Sequence, residues 1–223
     1  MSTTRRSIVL AGLLAGFLST AQAVPPPTPE QVTSFFRAVQ TDDASTVRKM
    51  VGATVNANER NPVGGDTALV LAVREDAKNV FQALLEHPGT DLEATAANGN
   101  TALMMAAFKR NKEAVNALLA KGAKVNRAGW TPLHYAAAAG DVEIIGLLAE
   151  RGAKLDALSP RQSGAYTPLM MAAREGHDAT AQLLLKRGAK PGLKNTEGLT
   201  AAQIAERAGH TGLAQAITGA KPQ

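Results

Sequence analysis

The sequence predicts an all-α solenoid of about six helix-turn-helix units joined by short hairpin fingers, and three observations predict it. A threonine followed by apolar, alanine-rich residues recurs five times at intervals of roughly 33 residues, a period typical of repeat proteins. Aromatic residues make up only 4% of the chain, which favours close packing of small-residue helices. Hydrophobic residues make up 45% and charged residues 19%, as in an ordinary folded protein that can bury a core.

The N-terminal residues 1–23 have the pattern of a secretory signal peptide. Arg5 and Arg6 precede an uncharged apolar run, and Ala21 and Ala23 form a small-x-small cleavage pattern. We expect cleavage near Ala23 and a periplasmic or secreted protein, exported by general secretion or, through the arginine pair, by the twin-arginine route. No later segment approaches the roughly 20 apolar residues of a spanning helix, so we expect no stable membrane insertion.

A proline-rich spacer over residues 24–28 leads into the repeat domain. Thr28 and Gln31 have the spacing of a capping box, with proline at the first helical position, and the helix that they open turns Phe35 towards the next unit. We expect a C-terminal tail over residues 218–223.

The repeat domain is predicted to cover residues 29–217. Its register is set by threonines separated by 34, 30, 36 and 33 residues, namely Thr67, Thr101, Thr131, Thr167 and Thr200. A threonine hydroxyl can cap a helix N-terminus, and later glycines such as Gly140 can end the helix. Neither helix of a unit can hide its apolar face alone, so the units must stack. We expect units over residues 29–65, 66–99, 100–129, 130–165, 166–198 and 199–217.

The run from Thr131 to Ala136 reads T-P-L-H-Y-A and resembles the signature of ankyrin repeats. With its leader, the chain is similar to small exported bacterial ankyrin-repeat proteins. This resemblance implies a non-enzymatic protein-protein interaction module in the periplasm that supports an enzyme such as catalase in oxidant defence. Two alternatives stay open: an immunity or inhibitor protein against a periplasmic toxin or enzyme, and an exported ligand-binding protein or enzyme.

Few residues suggest catalysis or a cofactor. The chain has no cysteine and four histidines, none at metal-ligand spacing from another, so we expect no metal, no cofactor and no catalytic residues. His134 has a structural role in the family that the chain resembles. The net charge of +5 is a mild excess that argues against nucleic acid as a partner, and we expect a monomer that binds another protein.

Candidate partner-binding residues occupy positions at which the repeat pattern does not require a particular residue type. Trp130 and Tyr166 directly precede the threonines of their units, so stacking is predicted to set them side by side. Finger length also varies here: the finger before Trp130 is three residues shorter than in the other units, and the finger before Tyr166 is three residues longer. Exposed aromatic side chains are common interface anchors, although either ring could instead fold back onto a hairpin. The other candidates are Asn100, Phe108, Arg74 and Arg174.

A second candidate is a lysine ridge, defined as Lys124, Lys154 and Lys190. These three lysines fall two residues past the glycines that end consecutive units. Lysines in register could contact an acidic partner or anionic headgroups. The basic residues that directly precede the same glycines are not part of this ridge. They have a simpler explanation, because positive charge near a helix C-terminus offsets the helix dipole.

Overall fold

The computed structural model describes residues 26–220. The predicted signal peptide, the first two residues of the predicted spacer and the last three residues of the predicted tail lie outside the described residues. Within the described part of the chain, no helix is long and apolar enough to cross a membrane.

Residues 26–220 form twelve α-helices arranged as six consecutive pairs, which confirms the predicted all-α solenoid. We call the first helix of each pair the inner helix and the second the outer helix. The helices are α1 (Pro29–Gln40), α2 (Ala44–Met50), α3 (Ala68–Arg74), α4 (Lys78–Glu86), α5 (Ala102–Phe108), α6 (Lys112–Ala120), α7 (Pro132–Ala139), α8 (Val142–Glu150), α9 (Pro168–Glu175), α10 (Asp178–Lys186), α11 (Ala201–Arg207) and α12 (Thr211–Gly219). A short 3-10 helix, Arg161–Ser163, lies in the long finger of the fourth unit.

The inner helices begin at the threonines that set the repeat register. In four of the last five units the threonine hydroxyl accepts a hydrogen bond from a backbone N–H three residues on, as Thr167 does from Met170 at 3.2 Å. Proline follows the threonine in α7 and α9, where its missing N–H removes no helical hydrogen bond. The local sequence therefore fixes where each inner helix starts.

The core runs through the whole stack. Inner helices pack on inner helices in chain order from α1 to α11, and each outer helix packs on its own inner helix. The buried side chains are mostly alanine, leucine, valine, isoleucine and methionine, with Phe35 fully buried in the first unit. Each unit completes the core of its neighbour, and this keeps the exposed inner-helix side chains in a fixed register.

Two histidines join consecutive units by packing on glycines. The His177 ring lies over Gly140, where an added Cβ would come within 2.7 Å of the ring, and its Nε2 lies 3.0 Å from the Ala138 carbonyl oxygen. His210 covers Gly176 in the same way. Gly140 and Gly176 also end α7 and α9 with positive φ, so glycine serves both the turn and the close approach.

The fingers are closed by short backbone hydrogen bonds rather than by extended strands. The Asn61 N–H donates to the Asp66 carbonyl at 2.7 Å and the Ser159 N–H donates to the Tyr166 carbonyl at 2.8 Å. Thr196 N–H reaches back to Gly164 of the preceding finger at 2.9 Å. Successive fingers are therefore fixed to one another at one end of the inner helices.

The last helix extends slightly beyond the predicted final unit. The predicted unit ends at Ile217, whereas α12 continues to Gly219. The reason is local, because the Thr218 hydroxyl donates to the Ala214 carbonyl at 2.8 Å, and the Ile217 side chain is buried against the stack.

Candidate partner-binding groove

One position of the inner helix varies strongly from unit to unit. It lies seven residues after the threonine that begins each helix, near the C-terminal end. From the second unit to the sixth its occupants are Arg74, Phe108, Ala138, Arg174 and Arg207. Because the inner helices stack in register, these side chains form one row along the molecule.

A surface groove lies where this row contains its smallest side chain. Ala138 sits between Phe108 of α5 and Arg174 of α9, so the stack is notched at α7. We call the resulting cavity of about 520 Å³ the aromatic groove. Its lining residues are Phe108, Trp130, His134, Tyr135, Ala138, Met171, Arg174 and Glu175.

Three aromatic side chains define one wall of the aromatic groove. The Phe108 and Tyr135 rings meet edge to face with centroids 6.2 Å apart, and the Trp130 and Tyr135 rings lie 6.1 Å apart. Phe108 is 53% exposed, although it is a large apolar side chain, while Trp130 and Tyr135 are half-buried. The aromatic wall is thus both anchored in the fold and open to solvent.

Tyr135 is held in place by Asn100. The Asn100 side chain is buried, and its Oδ1 accepts a hydrogen bond from the Tyr135 hydroxyl at 2.5 Å. Burial raises the pKa of the Tyr135 hydroxyl, and the hydrogen bond to Asn100 acts in the opposite direction. Asn100, one of the predicted contact residues, is buried and supports the groove wall through this hydrogen bond.

His134 forms the floor beneath Trp130. Its buried ring meets the Trp130 ring edge to face, with centroids 5.3 Å apart. Nδ1 accepts from the Thr131 N–H at 3.2 Å, and Nε2 lies 2.9 Å from the Tyr166 carbonyl oxygen, so a proton on Nε2 satisfies both contacts. Burial lowers the pKa of His134 to about 4, because an imidazolium would lose its hydration there.

Tyr166 does not line the groove beside Trp130 as its register suggested. Its ring lies against Gly164 of its own finger, where an added Cβ would come within 2.3 Å of the ring. The Arg174 guanidinium stacks over the same ring at 5.5 Å from the centroid. Tyr166 is half-buried and positions Arg174, and His134 connects its carbonyl oxygen to the Trp130 ring.

The two candidate arginines have different surroundings. Arg174 lines the groove and pairs with Glu175, with 2.9 Å between Nη2 and Oε1. Arg74 lies two units away on α3, where it pairs with Asp66 and with Glu75. Burial raises the pKa of Asp66 and the Arg74 charge opposes that rise, so Arg74 is occupied with neutralising a buried acid rather than lining the groove.

The lysine ridge lies on a different part of the surface. Lys124, Lys154 and Lys190 are exposed, and their backbone N–H groups donate to side-chain oxygens of the preceding unit at 2.7 to 2.9 Å. The acceptors are Glu93, Asn126 and Asp156. The ridge positions therefore join neighbouring units through the backbone, and the Lys190 ammonium also pairs with Asp156 at 4.0 Å.

Sequence reasoning missed Tyr135, Ala138, Met171 and Glu175 as groove residues. Tyr135 and Met171 fall inside apolar helix runs, where they are expected in the core. Ala138 carries a usable signal, because it is alanine at a row position that is phenylalanine or arginine in the neighbouring units. Among residues 26–220 no group of three or more potential metal ligands is brought together.

The chain matches known repeat proteins over most of the described stack. The family model described as "Ankyrin repeats (3 copies)" matches residues 35–128, 88–159 and 126–195. An ankyrin repeat and KH domain-containing protein of Caenorhabditis briggsae is 40% identical over 121 residues, which cover 53% of this chain and 5% of that protein. In Homo sapiens, transient receptor potential cation channel subfamily A member 1 is 30% identical over 161 residues, 69% of this chain and 14% of the channel protein.

A further human relative, neurogenic locus notch homolog protein 1, is 32% identical over 143 residues, covering 63% of this chain and 5% of that protein. The chain thus spans only a small part of these relatives.

Stacked helix pairs with one shared helix-start motif and variable exposed side chains define a class of repeat proteins that bind other macromolecules. The chain belongs to the ankyrin-repeat family. Ankyrin repeats are protein-protein interaction modules and are in general not enzymes.

Proposed function

We propose that this protein is a non-enzymatic binding module whose partner protein docks into the aromatic groove. The observation that carries the proposal is Phe108, a large apolar side chain that is 53% exposed and extends a wall built with Trp130 and Tyr135. Interface anchors are enriched in tryptophan and tyrosine and sit in pockets from which a partner excludes water.

The rigidity of the groove supports this role. Tyr135 is tied to Asn100, Trp130 rests on His134, and Arg174 is held between Glu175 and the Tyr166 ring. Side chains that are already ordered lose little conformational entropy when a partner binds. The groove is therefore preorganised for association.

We propose further that the protein acts after export to the periplasm. Arg5, Arg6 and the small residues Ala21 and Ala23 support this location, and expression of the full chain with a C-terminal tag tests it. Mature protein in the periplasmic or secreted fraction, starting near Val24, is the expected result. A full-length protein in the cytoplasm would contradict it.

For the partner we propose an enzyme of the same compartment, with a catalase of oxidant defence as the first candidate. The support is the resemblance to small exported bacterial ankyrin-repeat proteins. The alternative is an immunity or inhibitor protein for a toxin or enzyme. Enzyme activity distinguishes the two, because a supporting module preserves or raises the activity of its captured partner, whereas an inhibitor abolishes it.

A ligand-binding role is the second candidate function. The groove volume of about 520 Å³ falls within the roughly 300 to 1,000 Å³ typical of small-molecule sites. Trp130 is the single tryptophan of the chain and lines the groove, so its emission reports binding there. A small molecule that shifts this emission at stoichiometric concentration, without any protein partner, would favour the second candidate.

The direct test of the first function compares Phe108→Ala with Val142→Ala in affinity capture. Val142 is also an exposed apolar residue, but it lies at the start of the outer helix α8. We expect Phe108→Ala to weaken capture of the partner about tenfold or more, because truncation of an interface anchor costs roughly 2 kcal/mol. Val142→Ala is expected to capture like the wild type. Equal capture by both variants would place the interface elsewhere.

A further inference from the structure

We propose that the segment recognised by the aromatic groove is acidic and inserts one apolar side chain over Ala138. This inference rests on the proposed function and adds the chemistry of the partner. It follows from the shape of the notch and from the distribution of charge around it.

The notch above Ala138 has room for an apolar side chain. Ala138 is the smallest residue in its row, and the next positions along the row are Phe108 on one side and Arg174 on the other. Met171 lies in the lining and offers an apolar, adaptable contact. An aliphatic or aromatic side chain fits between Phe108 and Arg174, and its burial removes apolar surface of both partners from water.

Two cations without an ion-pair partner lie near the side of the groove that bears Phe108. Residues 100–129 contain six basic residues and one acid, but two of the six pair with acids of the following unit. Lys109 directly follows Phe108, and the Arg127 guanidinium donates to the Gly99 carbonyl at 3.2 Å, next to the Asn100 side chain that binds the Tyr135 hydroxyl. Within residues 26–220 neither Lys109 nor Arg127 has an acid within ion-pair distance.

The opposite side of the groove is neutral. The Arg174 charge is balanced by Glu175, with 2.9 Å between Nη2 and Oε1. The unbalanced positive charge therefore belongs to Lys109 and Arg127 at the Phe108 side. Complementary charge at this rim steers a partner and selects against basic segments. The acidic residues of the partner accordingly flank the inserted apolar side chain on the side of α5.

The test is selection of random peptides displayed on phage against the purified protein, followed by measurement of Kd for the enriched sequences. We expect enriched peptides to contain aspartate or glutamate beside a leucine, phenylalanine or tryptophan. The variant Ala138→Arg fills the notch with the residue that the second, fifth and sixth units carry at this position, so we expect the stack to tolerate it. We expect it to raise Kd about thirtyfold, as loss of a buried anchor does.

The charge is tested separately with Lys109→Gln combined with Arg127→Gln. This pair is expected to raise Kd about fivefold at low salt, and less as salt screens the rim. Lys49→Gln combined with Lys194→Gln removes two exposed lysines outside the groove and is the matched control, expected to change Kd less than about twofold. Circular dichroism melting of each variant confirms that the fold is retained.

Each other outcome overturns the inference in a distinguishable way. Enriched peptides that are basic or uncharged, yet are lost with Ala138→Arg, would overturn the charge assignment while leaving the groove as the binding site. Enriched peptides that bind Ala138→Arg as tightly as the wild type would remove the groove itself from the proposed function. Selection of no peptide would overturn recognition of a short segment, and affinity capture with Phe108→Ala would still decide the docking of a folded partner.

Discussion

At the residue scale, His134 shows how one buried side chain serves both the fold and the groove. It fixes the start of α7 through Thr131, reaches the Tyr166 carbonyl of the next unit and supports the Trp130 ring. The contact with Thr131 requires the neutral imidazole, because Nδ1 must accept the hydrogen bond from the Thr131 N–H. Protonation of this residue therefore acts on stability and on the groove together.

His134 should make stability fall as the pH is lowered. Its pKa in the folded protein is about 4, below the ordinary value of 6.5, so the unfolded chain binds the proton first. The stabilisation is fully present above pH 6.5 and is lost as the pH falls towards 4. The difference corresponds to about 3 kcal/mol. Urea denaturation between pH 7 and pH 4 measures it.

The control for this prediction is a pair of histidine variants. His134→Gln should lower stability at pH 7 and flatten the pH dependence over this range. His210→Gln should keep the steep dependence, since His134 is intact. An unchanged slope in His134→Gln would show that other groups cause the acid sensitivity.

At the scale of the secondary-structure element, the turn between inner and outer helix is set by a residue with positive φ. In the fourth and fifth units this residue is Gly140 or Gly176, whereas Asp42, Asp76 and Arg110 occupy the left-handed region in the first three units. The glycine turns also receive a histidine ring from the next unit. The same turn therefore shapes one unit and joins it to another.

Two glycine substitutions separate these contributions. Gly209→Ala, at the turn between α11 and α12, places Cβ in open space at φ +86°, so it should cost about 1 kcal/mol from backbone strain alone. Gly140→Ala, at φ +76°, also drives Cβ into the His177 ring, which is bound to the Ala138 carbonyl. We expect it to cost about 1 to 2 kcal/mol more. Thermal or chemical denaturation compares them, and equal costs would mean that the ring contact contributes nothing.

The elements also show what local sequence can and cannot predict. The helix starts follow from Thr67, Thr101 and their equivalents, because an N-cap hydroxyl acts within one turn of chain. The contact of His177 with Gly140 joins residues 37 positions apart and depends on how the units stack. A chain pattern gives the register of such residues, but not which ring rotates over which glycine.

At the scale of the whole molecule, stacking places the side chains that differ between units on one continuous surface. The register predicted that Trp130 and Phe108 belong to neighbouring units, and both line the groove. Tyr166 and Arg74 share that register but are drawn to Gly164 and to Asp66 by local contacts. The direction of such a side chain depends on which neighbouring residues it can contact, and the repeat pattern does not specify those contacts.

The central claim is that a partner protein occupies the aromatic groove, and site-specific photo-crosslinking tests it most directly. A benzophenone-bearing phenylalanine is introduced in place of Phe108 in one sample and in place of Val142 in another, and each is irradiated with the captured partner. We predict a covalent adduct from position 108 and none from position 142. An adduct formed only from position 142, or equally from both, would contradict the account.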